Sequence, residues 1–395
     1  MKEFEVDEKE ALQRYLDLTA IKGGSGNERD VADRIVSMLT DAGLDPSMVT
    51  FDSAETRTRI SGNCGNLIVR LPGSDSGPRT MLSAHMDTVP ICIGSDPVVD
   101  GDKVVSQVNT GLGADDRSGC AAILTAAIER LRSGHMDLPP AVLLFTVQEE
   151  IGLEGARHLD VSKLGAVDRA FNFDGGAVEQ VTTGAIGGQR MEIKLTGIPA
   201  HAGAAPQNGA SAIVMAAKAI ANLESGGWLG RIEKGDKAGT ANVGVIQGGE
   251  ATNVVTPEVT LRAEARSHDA TFRAEIVAEI RSAFEVAAEN VKNIHGNGGK
   301  CEFSSRVDYE AFCLPEDDPS VIALEQALVA IGRAPFRRVA GGGLDANWLN
   351  VHGIAAVTVG CGQMNIHTAD EQLDIPDYLA ACRIATILIG QDATS

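Results

Sequence analysis

The sequence predicts an α/β protein whose main domain is discontinuous, with a small α+β domain inserted into it. Three observations lead there. Apolar strands alternate with amphipathic helices up to about residue 184, which indicates a largely buried sheet layered with helices. The pattern then changes to strands with one apolar and one polar side, and after residue 309 the first pattern returns. A chain of 395 residues is also longer than one simple core requires.

The elements follow in order. Asp7–Thr19 carries Leu12, Tyr15 and Leu16 on one side. Asn27 is placed to cap a second helix with Val31, Ile35, Met38 and Leu39 at helical spacing, closed by Gly43. Apolar strands are expected at Asn66–Leu71 and Thr80–Ala84, a helix over Ser118–Arg132, and strands at Ala141–Val147 and Arg169–Phe173. Past the glycines Gly184, Gly187 and Gly188, the order is strand Arg190–Leu195, helix Ala210–Leu223, strands Asn242–Ile246 and Glu258–Arg266, helix Ala270–Ala288 and strand Lys300–Val307. This βαββαβ order is that of a split-βαβ sandwich. A helix at Ser320–Ile331, a glycine turn Gly341-Gly342-Gly343, a strand Ala355–Val359 and a helix from Pro376 complete the chain. The expected division is 1–184 and 310–395 for the main domain and 185–309 for the insert.

Composition narrows the function classes. The formal net charge of −20 opposes phosphate backbones and anionic lipid, so neither nucleic acid nor membrane is expected as a partner. No apolar run has bilayer-spanning length, and the charged opening Met1–Glu10 lacks an apolar signal region. Seven cysteines stand singly, at 64, 92, 120, 301, 313, 361 and 382. That is a poor disulfide framework, and it fits a reducing, cytoplasmic setting.

The chemistry-bearing residues gather where strands end. His85 and Asp87, two apart on an extended chain, point the same way, and Asp87 suits the carboxylate that fixes a ligating imidazole's tautomer. Asp115 and Asp116 precede a helix, where they read either as caps or as a metal-bridging carboxylate. Glu149 and Glu150 follow a buried strand, where α/β proteins place their ligands. One can ligate a metal while the other acts as general base. Asp174 ends another apolar strand and is followed by glycines. His367 lies past the last strand. Four strand ends and one helix start together supply five candidate ligands: His85, Asp115, Glu150, Asp174 and His367.

The motifs S-A-H-M-D-T-V-P (Ser83–Pro90), G-A-D-D-R-S-G (Gly113–Gly119), Q-E-E-I-G (Gln148–Gly152), N-F-D-G-G (Asn172–Gly176), A-H-A-G (Ala200–Gly203) and N-I-H-T (Asn365–Thr368) resemble those of the M20 zinc peptidases, in particular the peptidase T-like tripeptide aminopeptidases. The resemblance spans residues 83 to 368. It implies a zinc-aminopeptidase-like mixed-sheet catalytic domain with the α+β insert as a lid. It also implies two divalent ions, zinc with cobalt or manganese as alternatives. One would take His85 and Asp174, the other Glu150 and His367, with Asp115 bridging them and a cis peptide following Asp115. Asp87 would orient His85, and Glu149 would serve as general base toward a metal-bridging hydroxide. His201 would stabilise the developing oxyanion, in cis or from a partner subunit, and Asn253 and Arg266 would grip substrate. Arg117 departs from the lysine common in relatives, with little consequence expected.

The residues support the ligand set independently. Three carboxylates, two dications and one hydroxide sum to zero charge, and an N/O shell without thiolate suits such ions. Backbone N–H groups around Gly343 form a further candidate substrate contact. The implied activity is removal of N-terminal residues from tripeptides. The alternatives are a glutamate- or acyl-amino-acid-specific amidohydrolase or carboxypeptidase of the same family, and a non-catalytic metal-stabilised binding protein. Relatives that dimerise through the lid make a homodimer an expectation of the same standing.

Overall fold

The computed structural model describes residues 5–74, 77–135 and 137–390. The chain divides into two compact units, Met1–Ala185 with Cys313–Ser395, and Ile186–Phe312.

The first unit is built on a mixed sheet. Its centre is four parallel neighbours in the order Ala141–Thr146, Thr80–His85, Arg169–Phe173 and Ala356–Val359. The first two of these strands are wholly buried, as expected where helices cover both faces. Leu67–Leu71 and Val49–Phe51 extend one side in antiparallel fashion, and Gln180–Ala185 does so on the other. The register sets His85 opposite Thr146 and Phe173 opposite Val359. All four strands therefore end along one edge, where ligands of α/β sheets collect.

The helix Ala114–Ser133 is buried on most of its sides and packs on the sheet beside the C-terminal helix Ile375–Gly390. Its regular part begins after two acids, as the sequence led one to expect. Asp115 and Asp116 are non-helical, and the Asp116 carboxylate accepts from Gly119 N (3.1 Å), so Asp116 caps the regular helix. Asn27, by contrast, is no cap. The helix Arg29–Asp41 starts after Glu28, whose carboxylate turns inward to accept from Gly26 N (2.7 Å) and Gln148 N (3.0 Å). A four-stranded sheet that periodicity did not reveal joins Pro97–Asp100, Lys103–Ser106, Gln372–Asp374 and Gln363–Met364. These strands are two to four residues long, too short for an alternation to register.

The second unit is an antiparallel sheet in the order Gly230–Lys234, Lys237–Gly248, Glu258–Ser267, Gly187–Thr196, Lys300–Tyr309. The helices Ala212–Ser225 and Ala270–Asn290 supply Met215, Phe272, Ile276, Ile280 and Phe284 to its core. Glu258–Ser267 alternates exposed with buried residues along its first half, as its sequence pattern requires. The βαββαβ order needs one correction, because Gly230–Lys234 adds a strand and makes the order βαβββαβ. That strand buries only Ile232, which leaves no period to read. A two-residue turn with Gly235 at φ +67° joins it to the next strand.

Candidate metal centre

His85 ends its strand fully buried. Its Nδ1–H donates to the main-chain carbonyl of Asp87 (3.0 Å), with the Asp87 carboxylate at 3.5 Å. Nε2 is left facing Asp115 Oδ1 at 3.0 Å, Asp174 Oδ1 at 3.9 Å and Glu149 Oε2 at 4.0 Å. The other Asp115 oxygen, Oδ2, lies 3.2 Å from His367 Nε2, which is also 3.0 Å from Glu150 Oε2. One carboxylate thus faces two imidazoles with separate oxygens.

The segment carrying Asp115 is held from outside. The peptide Asp115–Asp116 is cis. Glu371, buried, accepts from Gly113 N (2.8 Å) and Asp115 N (3.1 Å). Asp116 also accepts from His85 N (3.0 Å) and Gln363 Nε2 (2.9 Å), so its two oxygens are committed to the scaffold although it lies close to His85 and Asp174.

The Gln148–Glu150 turn is held by two carboxylates from other segments. Glu28 takes the N–H of Gln148. Asp87 takes those of Glu149 (2.9 Å) and Glu150 (3.2 Å), and it also accepts from the Ser25 hydroxyl (2.6 Å). Gln148 adopts φ +54°, a left-handed conformation uncommon for a side-chain-bearing residue. Asp87 therefore holds the backbone of the two glutamates and also faces the His85 ring, with its main-chain carbonyl at 3.0 Å and its carboxylate at 3.5 Å. Arg117, buried, donates to Leu18 O (2.8 Å) and Gly23 O (3.0 Å), bracing the loop that carries Ser25.

His367 lies past the strand Ala356–Val359 as expected, but a further strand follows it. It sits in the loop of the hairpin formed by Gln363–Met364 and Gln372–Asp374, about half exposed, with φ +63°. The same hairpin loop ends in Glu371, so one element delivers both a candidate ligand and the residue that steadies Asp115.

The electrostatics follow from crowding acids in a buried place. Burial, with Glu150 and Asp174 close by, pushes Glu149 well above the usual carboxylate range. Burial and Asp115 push Asp174 to about 8. Hydrogen bonds from His367 and His85 outweigh the burial of Asp115 and hold it low. Asp115 and Glu150 raise His367 to about 10. The cluster draws positive charge onto its imidazoles, as a site built around cations does when protons are the cations at hand.

A model of the peptidase family M20/M25/M40 matches residues 81–391. The chain belongs to that family. A tripeptidase structure from Staphylococcus aureus subsp. aureus mu50 superposes with a TM-score of 0.88 at 30% identity, covering 98% of both chains. The aminopeptidase PepT of Bacillus cereus does so at 0.85 and 31%, again over 98% of both chains. Among curated relatives, the uncharacterized protein YqjE of Bacillus subtilis is 33% identical over 98% of this chain and 100% of its own length. A probable carboxypeptidase of Arthroderma otae is 30% identical over 65% of this chain and 58% of its own.

Family and fold make the protein a metallopeptidase, and the residues present fit metal. His85, Asp115 and Glu150 offer ligand atoms within 4.8 Å of one another. Glu150 Oε1 is buried without a hydrogen-bond partner among the described residues, a costly arrangement unless something cationic meets it. The donors are nitrogen and oxygen alone, which suits zinc, cobalt or manganese.

The remaining sequence candidates of this peptidase are His201, Asn253, Arg266 and Gly343. His201, Asn253 and Arg266 belong to the inserted unit. His201 is exposed, and its Nδ1 accepts from Gly203 N (3.2 Å) and Ala204 N (3.1 Å), which leaves Nε2 as the donor nitrogen of the neutral ring. Asn253 is beside it, through Ala202 N to Asn253 O (2.9 Å) and a bridge between His201 and Val254. Arg266 is engaged within its own unit, where Nε and Nη2 both reach Glu264 at 3.1 Å. Gly343 lies in the bend before the helix Asp345–Val351.

Sequence reasoning missed Glu28, Asp345 and Glu371. Asp345 is fully buried at a helix start and accepts from the Thr146 hydroxyl; burial raises it to about 6. A lone acid in an amphipathic segment carries no signal of inward direction, and these three were legible only through their neighbours in space.

Proposed function

We propose that the protein is a dinuclear metallo-aminopeptidase that removes N-terminal residues from tripeptides. The observation that carries this reading is Asp115, whose two oxygens address His85 at 3.0 Å and His367 at 3.2 Å separately, the arrangement a bridging carboxylate needs. Asp174 beside His85, and Glu150 beside His367, would complete the shells of two ions. When bound, such a pair polarises the scissile carbonyl and makes water a better nucleophile.

The chain's own residues do the rest. Glu149 ligates nothing in this scheme. With Oε2 4.0 Å from His85 Nε2, it is placed to take a proton from the attacking water and return it to the leaving amine. Asp87 and Glu28 hold the backbone of the turn that aims it. His201, with Nε2–H as its donor, is equipped to donate to the developing oxyanion, and Asn253 next to it to hold substrate backbone. Zinc as resident metal, a cytoplasmic setting, and a homodimer through the inserted unit belong to the same proposal. The scattered cysteines, none of them in a disulfide, support the second of these.

The tripeptidase and PepT neighbours favour an aminopeptidase, while the carboxypeptidase relatives favour cleavage from the other end or of acylated amino acids. A panel of di- and tripeptides, free and N-acetylated, with metal content per chain, separates them. Free tripeptides should be the best substrates at two metal equivalents. Preference for the acetylated series would overturn the aminopeptidase assignment, and turnover with all metal stripped would overturn the metal mechanism.

A further inference from the structure

The loop 57–62 borders both segments that shape the metal centre. Gln148 Nε2 donates to Thr58 Oγ1 (3.1 Å) and Ile60 O (3.4 Å). On its other side, Ile60 Cδ1 and Ser61 O lie 3.2 and 3.3 Å from where a Cβ on Gly26 would stand. Gly26 adjoins Ser25, whose hydroxyl binds Asp87. Arg59 is therefore carried by a loop packed against the segments that bear Gln148 and Gly26. Its Nη2 lies 2.9 Å from where a Cβ on Gly152 would stand. Gly152 is two residues past Glu150, at most roughly 7 Å along an extended chain. Gly152 has φ +119°, a conformation side chains disfavour, and its missing Cβ is what lets the guanidinium lie over the turn.

The guanidinium is anchored by one edge. Arg59 Nε donates to Glu154 Oε1 (3.0 Å), and its main-chain N–H donates to Oε2 (3.2 Å). Glu154 is buried, while the Arg59 side chain is 35% exposed. Among the described residues, Nη1 and Nη2 have no carboxylate partner. An arginine oriented through Nε and still partly exposed presents the paired donors that a carboxylate accepts in bidentate fashion. A neutral dinuclear centre supplies no surplus cation for a substrate's own carboxylate, which a separate guanidinium can meet. Arg266, the arginine the sequence nominated for that task, is occupied by Glu264.

We infer that Arg59 forms an anion subsite at the rim of the metal centre and takes a carboxylate of the peptide substrate. This rests on the peptidase reading above. The carboxylate has two sources, the C-terminus of a short peptide or an acidic side chain within it, and three probes distinguish them: trialanine, trialanine amide, and Ala-Glu-Ala amide. If the C-terminus is the ligand, the wild-type KM for trialanine is at least about tenfold below that for its amide. Arg59→Gln removes that difference, raising KM for trialanine about tenfold and for the amide less than twofold, with kcat within about threefold throughout. If the side chain is the ligand, the same pattern appears between Ala-Glu-Ala amide and trialanine amide. Arg59→Lys keeps a cation beside Glu154 and guards against loss of fold. Without the second prong, it should still raise KM for the charged peptide about threefold. Equal KM values for charged and uncharged peptides in an active wild type overturn this inference alone. A wild type that cleaves none of the three peptides removes the peptidase reading with it.

Discussion

Asp87 shows how much one buried side chain can organise. Its carboxylate collects the Ser25 hydroxyl and the N–H groups of Glu149 and Glu150, so the geometry of the turn and the loop beneath it are one network. Glu149 is the chemical end of that network. Glu149→Gln keeps the shape of the side chain and removes its basicity. We expect both metals retained and kcat lowered at least about 10²-fold, the low end of acid–base contributions; unchanged kcat with full metal occupancy would remove Glu149 from the mechanism. Glu28 makes a separate prediction in pH. Burial, and then Asp87, raise it from 4.5 to about 7, so in that window the unfolded chain loses the proton first. Its contribution to stability is therefore present below about 4.5 and declines as pH rises to about 7. Glu28→Gln lacks this dependence. Its stability relative to wild type should climb across that interval by on the order of 1–3 kcal/mol, measured by denaturant unfolding at a series of pH values. Parallel curves for the two proteins would contradict the assignment.

At the scale of elements, the short hairpin Gln363–Asp374 is the least obvious part of the site and the most connected. It carries His367 toward Asp115, places Glu371 under the Gly113–Asp115 backbone, and sends Gln363 to Asp116. Partners behind ligands commonly influence metal affinity 10–100-fold. Glu371→Ala should weaken metal binding by that order in a competitive chelator titration while the fold, read by circular dichroism, persists. Wild-type affinity would mean that the Asp115 backbone needs no such support. The central strands were legible because a buried parallel strand is a continuous apolar run. The hairpin was not, because two- and three-residue strands have no period, and its loop reads as ordinary polar chain.

Across the whole molecule, the dominant fact is that many acids converge on one edge of a sheet in a chain of net charge −20. Metal ions bound to the native state alone stabilise it by mass action, about 2.7 kcal/mol at a hundredfold excess over Kd. Chelation should therefore abolish hydrolysis and lower Tm by about 5 °C or more, with both restored by zinc, cobalt or manganese. Activity that survives complete chelation, or a Tm indifferent to it, would mean the acids serve another purpose. Among the described residues no helix is long and apolar enough to cross a membrane.

By itself the sequence determined the layering: which runs are buried strands, where the one-sided sheet interrupts them, and that carboxylates and histidines sit at strand ends. Those are local properties, written in the period of apolar residues and the chemistry of the next few positions. Tertiary structure alone decided which oxygen of Asp115 faces which imidazole, that Asp116 caps rather than bridges, that Arg266 is already taken, and that Glu28, Asp345 and Glu371 point inward. Each of these depends on segments up to several hundred residues apart meeting within about 3 Å, and a polar residue's direction is set by the partner it finds there.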